Sequence, residues 1–158
     1  MHDITFHKAT LNDVQTLVEY RIRFALELTG EKSLEEINNL RNQMTNYFSK
    51  ATIDNTCISF IAKYGNEIAG IGSVHIREMP GNFKNPSGKW GYIMNMYTVP
   101  GFRKRGVCTG ILKELINEGK RAGITAFELH ASILGESVYV KNGFEFHKEP
   151  TYRKYFAQ

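Results

Sequence analysis

The sequence predicts an α/β fold: a mixed central sheet of about seven strands flanked by about four helices, in the order βααβββαβαββ, within one domain spanning residues 1–158. Three observations predict it. Apolar residues recur at helical spacing in some stretches and at two-residue spacing in others, and the two patterns take turns along the chain. Glycine and asparagine punctuate the boundaries between them. Between Asn95 and Arg121 an apolar strand runs through a basic, glycine-containing loop into an amphipathic helix.

Ile4, Phe6 and Lys8 alternate as a first strand. Thr10 and Asp13 have the spacing of a capping box, in which each side chain bonds the other residue's backbone N–H. A helix then runs through Val14, Leu17, Val18, Ile22, Ala25 and Leu28 and stops near Gly30. Ser33 and Glu36 repeat the start signal ahead of Ile37, Leu40, Met44, Tyr47 and Phe48. Thr56–Tyr64 and Glu67–Arg77 are rich in Ile, Val and Phe, and Gly65-Asn66 between them reads as a tight hairpin. A polar, turn-rich stretch from Met79 to Lys89 leads into a strand from Trp90 to Val99. The helix after the basic loop repeats apolar residues at Val107, Ile111, Leu112, Leu115 and Ile116, and Gly123 marks its end. Thr125–Ala131 reads as a strand and Glu136–Asn142 as a short helix closed by Gly143. Phe144–Phe146 and Thr151–Phe156 read as a last pair of strands across Pro150. No repeat or linker interrupts this order.

The basic loop has the chemistry of a phosphate cradle. The first turn of a helix leaves N–H groups unpaired and carries about half a positive charge, so a diphosphate set there is bonded and neutralised together. Arg103, Lys104 and Arg105 add to the field, and Gly106 lets the main chain approach an anion with no Cβ in the way. The charge distribution agrees. The net charge is +4, and residues 101–158 hold 10 Lys/Arg against 6 Asp/Glu while the first hundred residues are close to balance.

Composition excludes other classes. With 42% hydrophobic and 23% charged residues the chain has ordinary globular content, and it contains no run of about 20 apolar residues for a membrane span. Met1–Thr5 lacks a basic flank followed by an apolar stretch, so no export is expected and the cytoplasm is the expected compartment. Cys57 and Cys108 stand in apolar stretches outside any Cys-x-x-Cys or Cys/His spacing, which argues against a disulfide framework or a bound metal. A nucleic-acid module would need a basic run or clustered aromatics, and neither occurs. Gly101-x-x-x-x-Gly106 imitates half of a nucleotide loop, but Val107-Cys108 follows where Lys-[Ser/Thr] is required.

The spacing Arg103-x-x-Gly106-x-Cys108 resembles the acyl-CoA loop of the GCN5-related N-acetyltransferases (GNAT), with Cys108 where that family has Gly or Ala. Leu129 to Phe144 resembles a second family segment, a strand and a short helix with Tyr followed by x-x-x-Gly-Phe. The element order is similar too. The resemblance covers essentially the whole chain. It implies a GNAT-like fold and transfer of acetyl from acetyl-CoA, as cosubstrate, to a small-molecule or peptide amine. It implies main-chain contacts to the pantetheine arm from Met96, Tyr97, Thr98 and Val99, and a diphosphate site at Arg103, Lys104, Arg105, Gly106, Val107, Cys108 and Thr109. Ser132 stands where many members carry Asn. Cys108 either crowds the diphosphate or turns into the core. The acceptor pocket is expected from Arg21–Lys32 and Met79–Lys89, with Arg23, Glu27, Glu31 and His75 as candidate contacts. A homodimer is common among such relatives.

The chemistry can be stated independently. An alkylammonium with a pKa near 10.4 must lose a proton before it attacks a thioester, at a cost of roughly 4–5 kcal/mol at pH 7, and the departing thiolate needs a donor. Tyr139 matches the family's general acid, against the plainer reading of a ring packed on the short helix. Gly91–Tyr97 carries no carboxylate to act as base. A water relay, His130 or His75 is then expected to take the proton. The missing carboxylate also leaves open a protein of this fold that has lost catalysis and senses acyl-CoA or supports a partner.

Overall fold

The structure, a computed structural model, describes residues 3–157. The reading of the N-terminus as free of an export signal involves Met1 and His2, which lie outside the described residues.

Both predicted capping boxes form. Thr10 N–H donates to Asp13 Oδ2 at 2.8 Å, although the box heads a single 3-10 turn, Leu11–Asp13, from which helix α1 (Val14–Thr29) continues to Gly30. Ser33 N–H donates to Glu36 Oε2 at 2.9 Å and Glu36 N–H to Ser33 Oγ at 3.2 Å, starting α2 (Leu34–Ile53). Each side chain satisfies a donor that the first helical turn leaves open.

Strands β1 (Ile4–Lys8), β2 (Cys57–Tyr64), β3 (Glu67–Glu78) and β4 (Lys89–Thr98) form an antiparallel meander in spatial order, and β5 (Ala126–Glu128) joins β4 in parallel. Helix α3 (Val107–Arg121) makes the crossover from β4 to β5, and the short α4 (Glu136–Lys141) follows. Side chains alternate across the sheet, so each strand feeds two cores. Ile58, Phe60, Ala62, Val74 and Ile93 pack with Val107, Ile111, Leu112 and Leu115 of α3. Cys57, Ile61, Ile71 and Tyr97 pack with Leu17, Val18 and Ile22 of α1 and Met44 and Phe48 of α2. Each such Leu, Ile or Phe contributes about 1.5–3 kcal/mol on burial.

The sheet has five strands among the described residues rather than seven. The strand expected over Thr125–Ala131 is limited to Ala126–Glu128, paired with Trp90–Tyr92. Phe144–Phe146 and Thr151–Phe156 form no strand among the described residues, and Phe146, Tyr152, Tyr155 and Phe156 are exposed. Alternation gives strand propensity only where an edge is free to pair with, and three residues of β5 offer almost none.

Candidate active site

The reason β5 is short lies in β4. Ser73 pairs with Met94 and Ile71 with Tyr97, so Gly72 alone faces two residues, Asn95 and Met96. Asn95 takes the extra position with φ +58°, a left-handed conformation that asparagine tolerates better than most residues. Such a bulge bends and over-twists the strand. Gly72 makes room for it: a Cβ there would lie 2.5 Å from both Met96 Sδ and Ile111 Cγ2. Beyond Tyr92 the edge of β4 that faces β5 has no strand partner among the described residues. The main chain of Met96, Tyr97, Thr98 and Val99 runs along this open edge, with the Met96 side chain in the α3 core and Tyr97 in the α1/α2 core.

The chain leaves that edge through a turn, Pro100–Phe102, and enters α3 with Lys104 at φ +62° and Gly106 at φ +79°. The first i to i−4 bond of the helix runs from Gly110 N–H to Gly106 O at 2.9 Å, so the N–H groups of Val107, Cys108 and Thr109 precede the ladder. Nothing lies within 4 Å of where a Gly106 Cβ would stand. Unpaired donors, open space and the exposed Lys104 and Arg105 fit a diphosphate. Arg103 is engaged otherwise: its Nε donates to the Thr98 carbonyl at 3.1 Å and its other end pairs with Glu27 of α1. It braces the loop. Arg105 leans over the Phe102 ring at 5.7 Å.

Tyr139 is 9% exposed and packs edge-on to Phe144 within the α3 core cluster. Burial pushes its pKa well above the usual tyrosine value, and the neighbouring Cys108 thiol adds to the rise. It is therefore a phenol at every physiological pH, a hydrogen-bond donor rather than a phenolate. Cys108 is half-buried, and burial pushes its thiol up as well, so no thiolate competes with a diphosphate. Ser132 lies in the turn before α4, where its Oγ accepts from Gly135 N–H at 3.2 Å; its own proton is unassigned to any acceptor among the described residues.

The α1/α2 side of the open edge is polar. His75 Nδ1 lies within hydrogen-bond distance of Tyr47 Oη, at 3.1 Å, and burial and then Arg77 lower the His75 pKa, which favours the neutral ring. His130, two residues past β5, sits where β4 and β5 part, with Nδ1 2.8 Å from Tyr92 Oη. Arg77 lies 4.1 Å over the Tyr92 ring and pairs with Glu128 at 2.9 Å, closing that mouth. Arg23 covers the Tyr20 ring at 4.5 Å, and Glu31 lines a shallow hollow with Leu26, Gly30, Lys32 and Ile37. Among the candidate acceptor contacts, Glu27 is thus tied to the loop, Arg23 and Glu31 lie on the outer part of α1 and its exit, and His75 faces α2 from β3.

Two residues stand out that the sequence reading did not name as individual contacts, although Arg21 opens the segment expected to build the acceptor pocket. Asn95 is 3% exposed, and its Nδ2 has no hydrogen-bond partner among the described residues, a deficit of about 1–3 kcal/mol. Its Oδ1 accepts from Arg21 at 3.4 Å. Arg21 was visible as a cation falling within the apolar stripe of α1, seven residues from Val14 and four from Leu17. Asn95 gave no such signal, because a bulge leaves no mark in a strand that is apolar on both faces.

The family model of the acetyltransferase (GNAT) family matches residues 16–144. The chain superposes on a predicted acetyltransferase from Clostridium acetobutylicum, solved with acetyl-CoA, with 32% identity, a TM-score of 0.87 and 96% of each chain covered. A GCN5-related N-acetyltransferase from Ralstonia eutropha JMP134 shares the fold at 18% identity and a TM-score of 0.83, covering 96% of this chain and 99% of that one. Glucosamine-6-phosphate N-acetyltransferase from Arabidopsis thaliana does so at 20% and 0.70, covering 98% and 99%. No curated protein matches the sequence.

Proposed function

This chain belongs to the acetyltransferase (GNAT) family, and we propose that it transfers acetyl from acetyl-CoA to a primary amine by direct attack in a ternary complex. The observation that carries the reading is the parting of β4 from β5 after Tyr92, which opens a strand edge directly ahead of the unpaired N–H groups that begin α3.

The residues divide the work by position. The N–H groups of Val107, Cys108 and Thr109, with Lys104 and Arg105, hold the diphosphate. The β4 edge from Met96 to Val99 bonds the pantetheine arm, and an N–H there polarises the thioester oxygen as charge builds on it, a type of contact worth about 2.7–4 kcal/mol in comparable sites. Ser132 adds a hydroxyl at the far side. Tyr139 donates to the departing sulfur. With its pKa raised, the phenol keeps its proton until a thiolate forms beside it, and the strong hydrogen bond it then makes is the stabilising step. His130, at the mouth between the strands, accepts the proton lost by the amine, directly or through water. The acceptor enters from the α1/α2 side.

Release of CoA followed against a panel of amines tests the reading, with Tyr139→Phe as the internal control. Turnover that falls about 100-fold in the variant supports it. Tight binding of acetyl-CoA without turnover of any amine would instead describe a sensor built on the same fold.

A further inference from the structure

We propose that the acceptor is a primary amine bearing a carboxylate, and that Arg21 is the group that binds it. The inference rests on the acyltransferase reading and names its substrate class.

Arg21 projects from the buried stripe of α1 onto the sheet. Of the five N–H donors in its guanidinium, one reaches a protein acceptor among the described residues, Asn95 Oδ1 at 3.4 Å. Arg41, Arg77, Arg103 and Arg121 each pair with a carboxylate at the surface. Arg21 is half-buried and has no such partner among the described residues. The ionisable groups that face it are Tyr47, Tyr92 and Cys57, and burial raises the pKa of both Tyr47 and Cys57. His75, bonded to Tyr47, is held neutral too. A positive charge thus stands partly desolvated among neutral neighbours, and burial pulls its own pKa down. Charges in that setting are stabilised by a partner of opposite sign, and the described residues supply none.

Position decides the partner. Asn95 is the bulge residue immediately before Met96 on the open β4 edge, so an anion on Arg21 lies beside the point of acyl transfer. The unpartnered Asn95 Nδ2 adds a second donor in the same patch. A guanidinium fork fits a carboxylate by two parallel bonds. Arg77, whose guanidinium lies over the Tyr92 ring, is already balanced by Glu128, so Arg21 leaves one positive charge to balance, which favours a carboxylate over a phosphate dianion. The proximity of the two sites favours an amine only a few bonds from its carboxylate, an amino acid in chemical class.

The test uses matched pairs, each an amino acid and its carboxamide (glycine and glycinamide, β-alanine and β-alaninamide, and longer homologues), with acetyl-CoA at saturation. The wild-type chain is expected to prefer the acid within the best pair, and Arg21→Met to lower the acid-to-amide ratio of kcat/KM about 30-fold or more, with Arg21→Lys between them. Because the ratio is taken within one preparation, a partly unfolded variant does not disturb it. Preference for the amide, or parallel loss of both members in Arg21→Met, overturns the inference and leaves the acyltransferase reading standing. Absence of turnover with every amine overturns that reading and this inference with it.

Discussion

Replacing Gly106 by alanine separates the conformation of the loop from its occupancy. At φ +79° a Cβ costs about 1–2 kcal/mol in backbone strain, and no clash adds to it because the space around that carbon is open. For a chain of this size the loss lowers Tm by roughly 2–8 °C. The same Cβ would intrude where an anion meets the N–H groups of Val107 to Thr109. Losing one charge-assisted hydrogen bond there costs about 1.5–3 kcal/mol, which is about a 10- to 150-fold rise in Kd for CoA. Calorimetric titration with CoA at a temperature well below Tm reads the second effect free of the first. Gly101→Ala, also in open space but without a positive φ, is the stability control and is expected to shift Tm little. A folded Gly106→Ala variant that binds CoA with unchanged affinity would refute the diphosphate assignment, whatever its Tm.

Tyr139→Phe should lower kcat about 100- to 1,000-fold with the KM for acetyl-CoA changed only a few-fold, because the hydroxyl acts on the leaving sulfur rather than on binding; a kcat within threefold of wild type would remove the acid role. Tyr47 and Tyr139 have pKa values raised above 10.0, and Cys57 and Cys108 above 9.0. The folded chain therefore keeps protons that the unfolded chain has lost, so the contribution of these four groups is full below their ordinary pKa values and is lost as pH rises beyond them; urea unfolding between pH 8 and 11 should show the decline, with a shallower slope in Tyr47→Phe. In Gly70→Ala the new Cβ would stand 2.7 Å from the Tyr97 carbonyl oxygen and 2.7 Å from Val107 Cγ1, and because backbone must move, a loss of about 1–3 kcal/mol together with weaker CoA binding is expected from thermal melts and titration. Glu27→Gln should cost under about 1 kcal/mol of stability, since its pair with Arg103 is surface-exposed, yet raise the Kd for CoA severalfold by releasing the loop; equal affinity would show that the brace is idle.

Features carried by local chemistry were legible in the sequence. Ser33 and Glu36 specify a helix start through their own hydrogen bonds, Gly65-Asn66 a hairpin through backbone freedom, and Gly106 the entry to α3. Features decided by what stands opposite were not. Phe144–Phe146 and Thr151–Phe156 alternate as strands do, but pairing depends on a free edge whose length their own residues do not encode. The pair between Arg103 and Glu27 was not visible because the two lie 76 residues apart. Arg21 and Glu27 share a helix, and the apolar stripe alone marks Arg21 as the one turned onto the sheet; what each of them meets there, Asn95 or Arg103, depends on residues more than 70 positions away.

The bulge in β4 ties these outcomes together. An unbroken strand would keep one parity throughout, with Tyr92, Met94 and Met96 on the α1/α2 face. Inserting Asn95 reverses the parity, so Met94, Tyr97 and Val99 share the α1/α2 core while Ile93 and Met96 share the α3 core. The aromatic ring of Tyr97 thereby reaches Phe24 of α1, 5.6 Å away, and anchors the helix that carries both Glu27 and Arg21. The same extra residue twists β4 away from β5 and turns its own amide toward Arg21. Opening the strand edge and placing a polar group at the acceptor side are therefore one structural event. Gly72 is the residue that permits it, since any side chain opposite the bulge would strike Met96 and Ile111.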